Sequence, residues 1–311
     1  FGVLFNYGLS ALSATMLAIL SNGDHLLVGE NLYLCTRRFI ETELPRFGIS
    51  YSYFDNSNIK DLQSKVQKNT KMILFESPGS YTFEMADIRK IADFAKKNNI
   101  ITALDNTLST PLLFKPLDFG MDIAIQSLTK YYSGNSDVFG GFVGTQSKKL
   151  YNRLFNFYIN YGAPANPSDC ETILKGMRTL DLRLKQIGNT AEKIFKFLQK
   201  HPKVKEVLHP LNPKVPGHKA WKKDYKSHTG VMCIVLKNPE LTQVKKFIKR
   251  LKLFKIGLSW GGFESLVAPI NLTEKRKCMT NFDNETLIRI SIGLGDPEDL
   301  LEDLNHALKS L

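Results

Sequence analysis

The strongest constraint on the fold is a rhythm of apolar runs too short to be helices, each followed by a stretch of helical periodicity. Gly2-Val-Leu-Phe5, His25-Leu-Leu-Val28, Gly48 to Phe54, Met72-Ile-Leu-Phe75, Ile100 to Asp105, Asp122-Ile-Ala-Ile125 and Phe142-Val-Gly-Thr145 read as strands. Ser10 to Leu20, Asn31 through Leu44, Ile59 to Gln67, Asp87 to Asn98 and Leu150 to Tyr161 read as helices. Strands that alternate with helices build a mostly parallel sheet covered on both faces, an α/β fold. Asp169 to Lys200 reads as one long helix, and beyond it the texture changes. Val231 to Leu236 and Thr286 to Ser291 are strands, while Val244 to Leu251 and Pro297 to Leu311 are helices. At 311 residues the chain exceeds the usual size of one core. The expected division is a first domain over 1–176 and a smaller α/β domain over 177–311, entered by a long linking helix and paired antiparallel. The stretch from His209 to Lys226, with three prolines, is expected to be ordered against the body.

In open α/β sheets, ligands collect outside the carboxyl ends of the strands. Two of the strand ends carry reactive groups. One run closes on Asp105, and another leads into Ser127-Leu-Thr-Lys130. A lysine just past a strand, among hydroxyls, has the local signature of an ordinary solvated lysine. A carboxylate at a second strand end changes the reading, because the two then aim an acid and an amine into one crevice. Pyridoxal phosphate (PLP) chemistry needs that pair: a lysine to form the Schiff base and an acid to keep the pyridine nitrogen protonated. Upstream, the turn Asn6-Tyr7-Gly8-Leu9 opens a helix. Free N–H groups and a helix dipole there suit a phosphate, although a plain strand–helix turn looks the same.

Composition narrows the alternatives. The chain is 43% hydrophobic and 23% charged, values of a globular protein rather than a disordered one. The net charge of +12 invites a nucleic-acid reading, but the lysines fall mostly on the solvated faces of amphipathic helices and no binding motif accompanies them. No nucleic-acid partner is expected. Cys35, Cys170, Cys233 and Cys278 are too scattered for a zinc site or a disulfide framework, so no metal and a reducing cytoplasm are expected. Asn6, Ser10, Ser13 and Thr15 interrupt the apolar opening stretch, which lacks a basic start; a signal peptide or membrane span is not expected.

Taken together, several blocks resemble the trans-sulfuration (Cys/Met metabolism) family of PLP-dependent enzymes. They include Gly23-Asp24-His25-Leu26-Leu27-Val28, Tyr33-x-x-Thr36-Arg37-Arg38-Phe39, Glu76-Ser77-Pro78-Gly79-Ser80 and Asp105-Asn106-Thr107. Further along come Ser127-x-Thr129-Lys130-Tyr131, Gly176-x-Arg178-Thr179-Leu180, Ser259-Trp260-Gly261-Gly262-x-Glu264-Ser265-Leu266 and Arg289-x-Ser291-Ile292-Gly293-Leu294. The resemblance runs from end to end and is strongest to the cystathionine β-lyase branch, through Glu76 to Ser80 and Ser259-Trp260. Relatives that cleave at the γ-carbon usually carry another residue where Trp260 stands.

The resemblance implies fold type I, the aspartate aminotransferase-like PLP-dependent transferase fold, and it implies roles. Lys130 would carry the cofactor and then serve as the base at the substrate Cα. Asp105 would pair with the pyridine nitrogen and Tyr33 would stack on the ring. The hydroxyls of Ser127 and Thr129, with the N–H groups of Gly8 and Leu9, would hold the phosphate. Arg289, the sole arginine of an apolar strand, suits a bidentate grip on the substrate carboxylate; Ser259 and Trp260 would line that pocket. The implied reaction is β-elimination of cystathionine, or of related cysteine S-conjugates, to a thiol, pyruvate and ammonia. A γ-lyase or γ-synthase, and a catalytically silent relative that keeps the fold, remain as alternatives.

Two departures from the family stand out. Tyr7 occupies a position usually held by a small residue. The family also has an arm ahead of the position of Phe1, with a Tyr-x-Arg that reaches the cofactor phosphate of a neighbouring subunit in a homotetramer. This sequence is therefore expected to be either a piece of a longer chain or a shortened product, and to hold cofactor weakly by itself.

Overall fold

The computed structural model of the chain describes residues 1–237, 240–272, 276, 282 and 286–311. Cys278, one of the cysteines weighed above, lies outside them.

The opening half is a seven-stranded sheet in the order β1-β7-β6-β5-β4-β2-β3. Its strands are β1 (Gly2–Phe5), β2 (His25–Gly29), β3 (Ser50–Phe54), β4 (Thr70–Glu76), β5 (Ile101–Asp105), β6 (Ile123–Ser127) and β7 (Gly141–Gly144). From β3 to β6 all pairings are parallel; β7 runs antiparallel to β6 and to β1. The expected mostly parallel sheet is thus present. Alternate residues divide between two cores. Leu26, Val28, Met72, Leu74 and Ala103 face one with α1 (Gly8–Ile19) and α2 (Leu34–Thr42). Leu27, Ile73, Phe75 and Leu104 face the other with α4 (Ile88–Lys97). Both faces are covered, as near-continuous apolar strands require. Two short helices, α3 (Ile59–Ser64) and α5 (Thr110–Leu113), fill connections.

After α6 (Lys148–Tyr161), the expected single helix from Asp169 to Lys200 proves to be two, α7 (Pro167–Met177) and α8 (Leu180–Lys200). The break at Arg178–Thr179 lies beside a buried cluster of hydrogen bonds. There the buried guanidinium of Arg183 donates at once to the carbonyls of Gly176 (2.7 Å), Tyr131 (2.7 Å) and Tyr132 (3.3 Å), and to the Thr179 hydroxyl (3.0 Å). Gly176 sits where a Cβ would meet the Ser133 carbonyl oxygen at 2.3 Å.

The second sheet has the order β10-β11-β12-β9-β8, built from β8 (Val204–Leu208), β9 (Val231–Leu236), β10 (Lys255–Ile256), β11 (Leu266–Asn271) and β12 (Thr286–Ser291). All pairings but β10–β11 are antiparallel. Helices α10 (Leu241–Arg250) and α11 (Pro297–Lys309) pack on it through Val244, Phe247, Ile248, Leu300 and Leu304. The proline-rich stretch from His209 is ordered, as expected, and contains α9 (His218–Asp224). The phenol of Tyr225 donates to the Ser77 carbonyl at 2.8 Å, tying this stretch to the first sheet.

Candidate active site

Four of the parallel strands end side by side, and their ends supply most of a cavity of about 260 Å³. Asp105 closes β5 and Glu76 closes β4; Lys130 follows β6, and Tyr33 follows β2. Gly8, Leu9, Ser127, Thr129 and, from the second sheet, Arg289 also line it, with Trp260 from the segment between β10 and β11. Of the residues expected from sequence, Ser259 alone is absent from the lining. It belongs to the group nonetheless, because the Lys130 amine donates to its hydroxyl at 3.0 Å.

The Lys130 amine is unusual. Burial and then the positive charge of Arg289 lower its pKa to about 8, partly offset by Cys35 and Asp105. The amine also stands 5.3 Å from the centre of the Trp260 ring. Its neighbour Tyr131 is fully buried, packs on Trp260 with ring centres 5.3 Å apart, and accepts the Gly230 N–H at 3.2 Å. A lysine poised this way carries an accessible lone pair near neutral pH, which is what a nucleophile or base requires.

The Asp105 carboxylate is buried and its pKa is raised by that burial, against hydrogen bonds from Thr107 and the charge of Lys130. One of its oxygens accepts the Thr107 N–H (3.0 Å) and hydroxyl (2.5 Å), and that hydroxyl in turn accepts the Ser127 N–H (2.8 Å). Thr107, given no role by sequence reasoning, thus links the acid to the serine of the lysine loop.

Glu76 was legible as part of a motif but not as a site residue. Its carboxylate accepts the Tyr33 N–H (2.8 Å), the Ser80 N–H (3.0 Å) and the Ser80 hydroxyl (2.6 Å). It therefore pins two walls of the cavity from within the lining. Tyr33 presents a half-exposed ring, and burial holds its phenol firmly protonated. Arg289 lies on β12 between Ala268 and Cys233, only 5% exposed, donates to the Leu258 carbonyl and stands 5.6 Å from the Tyr81 ring centre.

At the other end, α1 starts at Gly8 without a side-chain cap, so its first N–H groups have no partner within the helix. A Cβ on Gly8 would meet Ser127 Cβ and Oγ at 2.6 Å. Only glycine leaves this cradle open beside the serine. The Thr129 hydroxyl accepts the Gly140 N–H at 3.1 Å and so also braces the loop. Tyr7 does not turn away from the cradle: it lines the cavity at the rim and tilts against Phe139, with ring centres 5.1 Å apart.

PLP has four ends to satisfy: a pyridine nitrogen, a ring face, an aldehyde and a phosphate. The cavity offers a buried carboxylate, an aromatic face, an amine of lowered pKa and an open glycine-bounded helix start. The residues fit the group, and with the sheet order they define a PLP-dependent enzyme of fold type I. More particularly, the chain belongs to the Cys/Met metabolism PLP-dependent enzyme family, which matches residues 1–309, and PLP is its cofactor. The L-alanine/L-glutamate racemase of Wolbachia pipientis wMel is 39% identical over 311 residues, covering 99% of this chain and 76% of the relative. Cystathionine beta-lyase MetC of Bacillus subtilis (strain 168) is 34% identical over 316 residues, covering all of this chain and 80% of the relative. The crystal structure of cystathionine gamma-lyase from Lactobacillus plantarum complexed with L-serine superposes with a TM-score of 0.93 at 29% identity, covering 99% of this chain and 82% of that one. Among the described residues no helix is long and apolar enough to cross a membrane.

Proposed function

We propose that this chain is a carbon–sulfur lyase that cleaves cysteine thioethers, cystathionine or a related S-conjugate, by β-elimination. The observation that carries the reading is the convergence of Lys130, Arg289 and Asp105 on one cavity, where burial and Arg289 lower the pKa of the amine. When bound, PLP supplies an aldehyde that links covalently to amines and a protonated ring that withdraws electrons. Asp105 would keep that ring protonated, Tyr33 would cover one face, and Gly8, Leu9, Ser127 and Thr129 would hold the phosphate. Arg289 grips the substrate carboxylate, with Ser259 and Trp260 beside it. Lys130 would hold the cofactor through its amine and, when free, would take the proton from the substrate Cα. The Cβ–S bond then breaks, the electron pair leaves with sulfur, and the thiol departs; hydrolysis of the remainder gives pyruvate and ammonia.

The β-class is supported by Glu76 to Ser80 and by Trp260, all but Ser77 and Gly79 lining the cavity. Product analysis with cystathionine tests it: pyruvate is expected, and 2-oxobutyrate would assign the γ-class instead. We propose further that residues 1–176 hold the cofactor while 177–311 supply the carboxylate grip, and that the working form is a homotetramer in the cytoplasm.

A second reading is favoured by the racemase among the relatives. Racemisation and β-elimination both begin with removal of the Cα proton, so Lys130 serves either.

A further inference from the structure

Cys35 has no part in the cleavage set out above, yet it lies in the same cavity. It is the second residue of α2, its side chain is exposed, and it lines the cavity with Tyr33, Tyr81 and Arg289. Its thiol shares that lining with the Tyr33 phenol and the Lys130 amine and stands within electrostatic reach of both. The two groups come from opposite flanks of the row of strand ends. Lys130 follows β6 and Cys35 follows β2, with Asp105 on β5 and Glu76 on β4 between them. Neighbouring strands lie about 4.8 Å apart, so three spacings separate the ends of β2 and β6 by on the order of 14 Å. Their side chains converge across that gap. A substrate held by Arg289 between them meets an amine from one flank and a thiol from the other.

We infer that Cys35 is a second catalytic residue, the proton donor that faces Lys130, and that it gives this chain a racemising activity on small α-amino acids with no leaving group on Cβ. The inference rests on the reading of the site as one that removes a Cα proton. The step balances without an oxidant or reductant. The Cα–H bond breaks, its proton passes to Lys130 Nζ, and its electron pair stays with the cofactor-bound substrate. The Sγ–H bond of Cys35 then breaks as a new Cα–H bond forms from the opposite flank, inverting the centre. The ammonium and thiolate left behind exchange protons with solvent, which the exposed thiol reaches directly. Tyr33 does not replace the thiol as donor, because a phenol ordinarily holds its proton more tightly than a thiol does and burial tightens that hold further. The Cβ substituent decides the outcome: a thioether leaves, while a methyl cannot and the carbon is reprotonated.

The test uses the PLP-loaded full chain with L-alanine in deuterium oxide, read by proton NMR for exchange at Cα and by chiral chromatography for D-alanine. The parent is expected to form D-alanine. Cys35→Ala is expected to lose D-alanine formation by roughly 10²–10⁴-fold, the usual worth of a general acid, while deuterium still enters retained L-alanine through Lys130. Exchange with retention separates a lost donor from a merely damaged site. A readout independent of turnover is alkylation of Cys35 by iodoacetamide, followed by mass spectrometry. PLP with L-alanine is expected to protect Cys35 and to leave Cys170 unchanged. Parent protein that makes no D-alanine, or a Cys35→Ala variant that makes it at the parent rate, overturns the inference. Pyruvate from cystathionine in the same preparation shows that the lyase reading survives that failure.

Discussion

Glu76 and Asp105 are paired neighbours at the ends of two adjacent parallel strands, and both side chains reach the same cavity. Two carboxyl groups this close and this buried resist carrying full charge together. Burial and then the charge of Asp105 push Glu76 up to about 8, against the three donors it accepts from Tyr33 and Ser80.

This pairing makes stability depend on pH with a definite sign. The folded pKa of Glu76 lies above that of an unfolded glutamate, so the folded chain binds more protons between about pH 4.5 and 8. Stability from this group therefore falls as pH rises through that window. Glu76→Gln removes the titration, and its melting temperature is expected to be flatter than the parent's across the window. Thermal denaturation of both proteins at several pH values measures the slope; parallel curves would exclude Glu76 as the source.

Lys130 gives a second pH prediction. Its amine is nucleophilic only when neutral, and its pKa is lowered to about 8. Capture of PLP is thus expected to speed up with rising pH and to level off above about 8. At pH 7 the neutral fraction exceeds that of a free lysine by roughly a few hundredfold. Stopped-flow absorbance of cofactor-free protein mixed with PLP reads the rate. In Lys130→Ala, borohydride reduction is expected to leave no PLP-derived mass at position 130 and no turnover.

Arg289 is only 5% exposed, and its planar fork suits a carboxylate. Breaking a buried charged pair costs about 2–5 kcal/mol. Arg289→Lys keeps the charge and loses the fork, so the cost sits near the lower figure, about a thirtyfold rise in KM with kcat less affected. Steady-state kinetics with cystathionine decide it. An unchanged KM would move the carboxylate site elsewhere.

At Gly8 the added methyl of Gly8→Ala would press on Ser127 Cβ and Oγ at 2.6 Å. Overpacking of this kind costs about 1–3 kcal/mol, or roughly five- to a hundredfold in an equilibrium. The loss is expected in PLP affinity, with circular dichroism unchanged. Equilibrium titration followed by absorbance measures it.

How far the sequence was legible follows from what a linear pattern can carry. Asp105 and Lys130 stood out because each comes just after an apolar strand, and Arg289 because it interrupts one. Glu76 bears the same strand-end signal as Asp105, but nothing in the order of residues says that β4 and β5 are neighbours. Strand β11 was hidden by Pro269. The proline is tolerated because β10 covers only Leu266 and Val267 on that side, leaving Pro269 opposite no donor-seeking partner there. The break before α8 was invisible because no proline or glycine marks Arg178–Thr179, and the carbonyls that Arg183 grips beside it lie some fifty residues upstream. Cys35 carries no local signal; its place in one cavity with Lys130 exists only in the folded chain.

The grip of Arg183 on Tyr131, and of Tyr131 on Gly230, has a practical reach beyond packing. The segment that carries Lys130 is bolted to the long helix and to the second sheet, so its geometry registers how well the halves have come together. Yellow colour in a purified variant then works as a proofreading signal. A pale but soluble mutant in α8 or β9 points to faulty assembly around the lysine, even where the altered residue lies far from the cofactor.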